Sequence, residues 1–266
     1  MGDTPPPEWT AYDVVRYEQA YGLIELAFDV GAGLGEGALW DWRHGTLVSV
    51  DLLAGRLLLS DPGDGSTRSI DVGQPVSAVM LRGERELLLA VRDGFTTVDL
   101  ATEAFGALVP VEADVRTNRM NDGACDPHGR CFAGTMAFDT SPGAGTLYRL
   151  DPDLSVHPIL SGLGVSNGIG WSPSGAVMYH IDSQAGGIDE YDYDDQAGVP
   201  SGKRRLVDTD PSWGLPDGLA MDTEGGIWVA FWDGGAVRRF SATGELTRAS
   251  SCQRRDRRDR HSAVPT

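Results

Sequence analysis

Apolar residues in this chain come in short runs broken by turn residues, and almost never at the three- and four-residue spacing of a helix face. Thr46–Asp51 and Arg56–Ser60 flank the turn residues Leu53, Ala54 and Gly55, a pattern that predicts a β-hairpin. Glu86–Val91, Gly145–Leu150 and Gly226–Phe231 have the same strand-like character. No amphipathic helix of useful length is predicted. Residues 1–20 are polar and proline-bearing and read as an extension ahead of a domain spanning 21–252.

These runs recur at long range. Five segments share a small residue, a few apolar positions and a turn before the next strand. They begin at Gly37, Ala78, Gly123, Gly168 and Gly218, so successive starts lie 41, 45, 45 and 50 residues apart. That period, with about four strands per unit, predicts an all-β propeller. A sandwich has no reason to repeat a segment so regularly. Ser250, Ser251 and Cys252 read as the opening of a sixth unit, but the arginine-rich stretch that follows in 253–266 has no strand pattern. A sixth blade is therefore expected to be incomplete, with Ile24–Phe28 lying where it would close.

Composition narrows the partners. Thirty-nine acidic residues against 22 basic ones give a net charge of −17, which excludes a general nucleic-acid binder and a protein docked on anionic membrane. No apolar run approaches the roughly 20 residues that cross a bilayer, and the start of the chain lacks the basic and apolar regions of a secretory leader. Cys125, Cys131 and Cys252 are an odd number and read as free thiols of a reducing compartment. A cytoplasmic protein, monomeric or weakly homo-oligomeric, is expected.

Three tempting motifs fail on context. Gly33–Ala38 fits the loose dinucleotide fingerprint, but a turn and a strand follow it where a helix is required. Gly164–Gly168 matches G-x-S-x-G, yet strand follows Ser166 and His180 is the one imidazole nearby. The acidic stretch Asp189–Asp195 lacks the glycine and the closing glutamate of an EF-hand loop, and reads as an exposed strand and its turn.

One constellation survives. The residue before the small residue of each unit is Glu36, Ser77, Asp122, Asn167 or Asp217. In a propeller these equivalent positions face the central channel from one end. Glu36, Asn167 and Asp217 supply two carboxylates and an amide oxygen, a hard-oxygen set suited to Ca2+, Mg2+ or Mn2+.

The stretches Leu34–Asp41, Arg119–Gly123, Gly129–Met136, Ser166–Gly168, Tyr179–Ser183, Pro216–Leu219 and Gly226–Ala230 together resemble the SMP-30/gluconolactonase/luciferin-regenerating-enzyme family, in the family's order, over roughly residues 20 to 250. The resemblance implies a six-bladed propeller with one divalent metal, Ca2+ above Zn2+, Mg2+ or Mn2+, held by Glu36, Asn167 and Asp217. It also implies substrate contacts from Arg119 and Asn121, and from Asp139 by likeness to regucalcin-like members. Cys131, where an aromatic residue is usual, and the chain after Cys252 depart from the family.

The expected activity is hydrolysis of a sugar lactone to the aldonic acid. The metal would polarise the ring carbonyl, Asp217 would act as general acid and base, and Arg119 and Asn121 would orient the sugar. A non-catalytic calcium-binding propeller and a metal-dependent esterase or organophosphate hydrolase are the alternatives.

Overall fold

The computed structural model describes residues 26–251. Among them the short apolar runs become five four-stranded antiparallel sheets, each with its strands hydrogen-bonded in chain order. Blade 1 is β1 (Gly35–Asp41), β2 (Thr46–Asp51), β3 (Arg56–Ser60) and β4 (Thr67–Asp71); blade 2 is β5 (Val76–Arg82), β6 (Glu86–Val91), β7 (Gly94–Asp99) and β8 (Val109–Pro110). Blade 3 follows as β9 (Asn118–Cys125), β10 (Cys131–Ala137), β11 (Gly145–Leu150) and β12 (Val156–Leu163), and blade 4 as β13 (Ser166–Trp171), β14 (Val177–Asp182), β15 (Gly187–Asp194) and β16 (Val199–Asp208). Blade 5 closes the described chain with β17 (Leu215–Met221), β18 (Ile227–Trp232), β19 (Ala236–Phe240) and β20 (Leu246–Ser251).

The expectation of six blades, the sixth incomplete, is corrected to five among the described residues. Ser250 and Ser251 do not open a sixth unit. They lie in β20, where Ser250 pairs with Val237 and Ser251 with Ala236, and so finish blade 5. Leu26–Phe28 form no strand. Ile24, Glu25 and the arginine-rich stretch lie outside the described residues.

Alternation along each strand gives every blade two apolar faces, and adjacent blades bury them against each other. Val48, Val50, Leu57 and Leu59 of blade 1 meet Val79, Leu87 and Leu89 of blade 2. Met80, Leu88 and Phe95 of blade 2 meet Met120 and Ala133 of blade 3. Phe132 and Leu147 meet Trp171, Tyr191 and Tyr193 between blades 3 and 4, and Tyr179, Ile181 and Ile188 meet Val229 and Phe231 between blades 4 and 5. Among the described residues no such core joins blade 5 to blade 1. A cavity of about 750 Å³ opens there and runs inward past blades 2 and 3, lined by Ala38, Leu39 and Ser49 of blade 1, Trp228, Ala230 and Val237 of blade 5, and also by Val79 and Met80 of blade 2 and Asp122 and Gly123 of blade 3.

The cysteine reading is also corrected. Antiparallel register places Cys131 directly opposite Cys125 on β9 and β10, with Cα atoms 4.1 Å apart, and the two are joined as a disulfide. A hairpin turn brings together two cysteines six positions apart in sequence. Counting cysteines along the chain could not reveal that pairing.

Candidate active site

Every innermost strand carries a bulge at the same place. The pairing register slips between Glu36 and Leu39 in β1, between Val76 and Ala78 in β5, and between Ser166 and Ile169 in β13. It slips likewise between Met120 and Gly123 in β9, and between Pro216 and Leu219 in β17. A bulge inserts an extra residue and re-aims the side chain at that point. These five therefore reach the positions that the repeat singles out: Glu36, Ser77, Asp122, Asn167 and Asp217.

The chain leading into two of those bulges is pinned in the same way. Both Asp51 carboxylate oxygens, at the end of β2, accept hydrogen bonds from the Gly33 and Leu34 amides at 3.1 and 3.2 Å. Asp182, at the end of β14, accepts from the Gly164 and Val165 amides at 2.9 and 3.0 Å. Glycine then allows the close approach of β13 and β17. A Cβ on Gly168 would lie 2.5 Å from the Leu219 Cβ and 2.7 Å from the Asp217 carbonyl oxygen, too close for any other residue.

Glu36, Arg119, Asn121, Asn167 and Asp217 line one cavity of about 250 Å³, with Leu52, Met136, Val165 and Trp232 in its apolar wall. Arg119 is 9% exposed. Its Nη1 donates to the Met120 carbonyl at 3.0 Å and to the Asn121 Oδ1 at 2.7 Å. Asn121 Nδ2 donates to the Ser166 carbonyl at 2.9 Å, which holds blade 3 to blade 4 at the cavity. One N–H and one lone pair of that amide remain for a ligand. Asn167, 7% exposed, donates from Nδ2 to the Ser183 Oγ at 3.0 Å.

The electrostatics are those of crowded acids. Burial, then the Asp217 and Asp122 carboxylates, push Glu36 up to about 8, with Arg119 acting in the opposite sense. Asp217 is raised by burial against a hydrogen bond from Asn167. Asp122 is raised to about 6 by burial and Asp217, although its Oδ1 accepts from the Gly123 amide at 2.7 Å. Burial lowers the Arg119 guanidinium while Glu36 raises it. Like charges this close disfavour ionisation unless a cation is present.

Among the described residues no three His, Cys, Asp or Glu side chains form a ligand cluster. The candidate set has two carboxylates and depends on the Asn167 amide oxygen as its third member. Hard oxygens on acids that repel one another fit a divalent cation such as Ca2+.

The structure brings five of the six sequence-predicted residues together and leaves one out. Asp139 is exposed in the turn after β10, its Oδ1 accepting from the Ser141 amide at 3.0 Å and from the Ser141 hydroxyl at 2.7 Å. Its neighbour Thr140 lines the cavity. Asp122 is the residue whose register position signalled it and whose role the motifs hid. Ser183 is a second that sequence reasoning passed over, and nothing in its local spacing marks it.

The G-x-S-x-G serine does meet its imidazole: Ser166 Oγ and His180 Nε2 are 2.9 Å apart. Both residues are 0% exposed, and burial lowers the His180 ring to about 4. Neither lines the cavity, so the pair is part of the packing beneath it. The expectation of an exposed strand for the acidic stretch is corrected: Asp189 is buried in β15 and forms ion pairs with Lys203 and Arg205 within blade 4.

Residues 34–254 match the family model described as the SMP-30/Gluconolactonase/LRE-like region. The chain is 35% identical to rabbit (Oryctolagus cuniculus) regucalcin over 222 residues, 82% of this chain and 74% of that one. It is also 35% identical to YvrE of Bacillus subtilis, which carries the name of a sugar lactone lactonase, over 80% of this chain and 73% of the relative. Among solved structures it resembles the calcium-binding protein regucalcin of Agrobacterium tumefaciens, with a TM-score of 0.80 and 29% identity over 83% of this chain and 75% of that one.

Proposed function

The chain belongs to the SMP-30/gluconolactonase/LRE-like family, and on that premise we propose that it hydrolyses a sugar lactone, a gluconolactone-like aldonolactone, to the aldonic acid. Glu36, Asn167 and Asp217 hold one divalent cation, Ca2+ in the first place. The observation that carries this reading is the convergence of those three residues with Arg119 and Asn121 on one cavity from four different blades. A cation binder with no substrate has no use for a buried guanidinium and a second amide beside its ligands.

When bound, the cation supplies Lewis-acid polarisation of the ring carbonyl. The remaining work falls to the side chains. Arg119 and Asn121 hold the sugar hydroxyls and carbonyl so that the ester carbon is presented to water in one orientation. Asp217 takes the proton that water gives up as its oxygen bonds to the carbonyl carbon. It returns that proton to the ring oxygen as the ring C–O bond breaks, leaving a carboxylic acid and a hydroxyl on one open chain. Leu52, Met136, Val165 and Trp232 keep bulk water from that exchange. Asp139, bonded to Ser141 in its own turn, takes no part in these steps.

No helix among the described residues is long and apolar enough to cross a membrane. We propose that the chain acts on a small molecule as a monomer or weak homo-oligomer. A panel of aldonolactones, assayed by acid release after metal stripping and readdition of single metals, tests the reading. Acid release restored by a divalent cation is expected. Cation binding with no lactone, ester or phosphotriester turned over would leave a binding propeller in its place.

A further inference from the structure

We propose that Ser183 is a positioning residue for this site: it fixes which atom of Asn167 faces the cation and ties that amide to the strand carrying Asp217. The inference rests on the metal-site reading above. Ser183 opens a single turn of 3-10 helix, Ser183–Ala185, just after β14, and is 4% exposed. Its amide donates to the Val165 carbonyl at 3.0 Å, two residues before Asn167.

Its hydroxyl has one proton to give. The Ser183 Oγ lies 2.7 Å from the Pro216 carbonyl oxygen, which can only accept, so the proton points there. What remains on Oγ is lone pairs. Asn167 approaches those lone pairs at 3.0 Å, so the group it presents must be its NH2, which also donates to the Asp217 carboxylate, and its Oδ1 bonds to neither partner. An amide is nearly symmetric in shape, and without such a partner it can present nitrogen as easily as oxygen. A cation needs the oxygen.

The same hydroxyl joins two blades. Asn167 sits on β13 of blade 4, and Pro216 immediately precedes Asp217 on β17 of blade 5. One buried oxygen thus sets the orientation of one ligand by bonding to a carbonyl on the strand that carries another. Partners of ligands, when removed, typically cost about 10- to 100-fold in metal affinity.

The test is calorimetric titration of Ca2+ into the metal-stripped full chain. Ser183→Ala should weaken binding about 10- to 100-fold, and Ser183→Cys, similar in shape but a poor donor and acceptor, should match it. Ser183→Thr keeps the hydroxyl and should stay within about threefold of wild type. In an Asn167→Ala background, adding Ser183→Ala should change affinity less than about twofold, because the residue it orients is gone; a purely structural role would cost the same in both backgrounds. At saturating Ca2+ the Ser183→Ala variant should recover most of its lactone kcat. Wild-type binding with an unchanged Ser183→Ala affinity, or equal losses in both backgrounds, would overturn this proposal alone. Failure of the wild type to bind any divalent cation would overturn it together with the metal site.

Discussion

Blades 3 and 4 and blades 1 and 5 meet the central cavity on different terms. Between blades 3 and 4 an apolar core of Phe132, Trp171 and Tyr193 lies behind a direct hydrogen bond from Asn121 to the Ser166 carbonyl. Blades 1 and 5 share no such core among the described residues. What passes between them is repulsion, since Asp217 is the charge that most disturbs Glu36. The inner arc therefore holds its site residues in place without help. The two ends hold two acids near each other, Glu36 pushed up to about 8, and share no such packing among the described residues. A cation between Glu36 and Asp217 would turn that junction into a joint.

The largest way to break that contrast is at the joint. Asp217→Ala should lower turnover about a thousandfold, within the range of a lost general acid–base group, and weaken cation binding. Its metal-free melting temperature should not fall, because a repulsive charge has been removed. Arg119→Ala, on the inner arc, should lower kcat/KM about 10- to 100-fold, the effect of losing a charged hydrogen bond, with cation affinity within about threefold of wild type. Steady-state kinetics beside calorimetry separate the two. Wild-type turnover in Asp217→Ala would remove that residue from the mechanism, and parallel loss of metal and activity in Arg119→Ala would make it structural.

A second comparison concerns stability. Leu89 is 0% exposed in the core between blades 1 and 2, and Leu89→Ala should cost about 2–5 kcal/mol. Val237 lines the cavity between blades 5 and 1, and Val237→Ala should cost less than about 1 kcal/mol. Urea unfolding of both variants decides it. Equal losses would mean that the blade 5 face is packed as tightly as the arc.

The last contrast is the pH response of the arc. His180 is buried as the neutral ring, with its pKa lowered from 6.5 to about 4 by burial. The unfolded chain binds a proton near pH 6.5 that the folded chain refuses until about pH 4. Stability from this residue is thus complete above 6.5 and is lost as pH falls from 6.5 toward 4. Between pH 7 and 4.5 the wild type should lose about 2–3 kcal/mol more than His180→Gln. Equal slopes for the two chains would show that the ring titrates normally.

Much of this was legible in the residues. The runs at 46–51, 56–60, 86–91 and 145–150 are strands with those bounds, because alternation against a turn leaves few other choices. The repeat register located Glu36, Asn167 and Asp217 because one bulge recurs in every inner strand. Blade count was not legible, since Ser250–Ser251 looks the same whether it opens a unit or ends one. Nor was the Cys125–Cys131 pairing, which depends on register between β9 and β10. Ser183 escaped for the same reason: its meaning lies in a carbonyl on a neighbouring blade.

The five bulges carry a consequence of their own. They set chemistry apart from stability, because residues 36, 77, 122, 167 and 217 lie at or beside the bulges while none of them is a member of the four apolar cores. Such positions are sockets that evolution can refill without rebuilding the walls. Ser77 shows one socket in a quiet state, its hydroxyl donating to the Ala90 carbonyl at 3.2 Å and doing nothing for a cation. A change of chemistry on such a scaffold needs only a handful of side chains at the bulges, and the architecture is kept while they change.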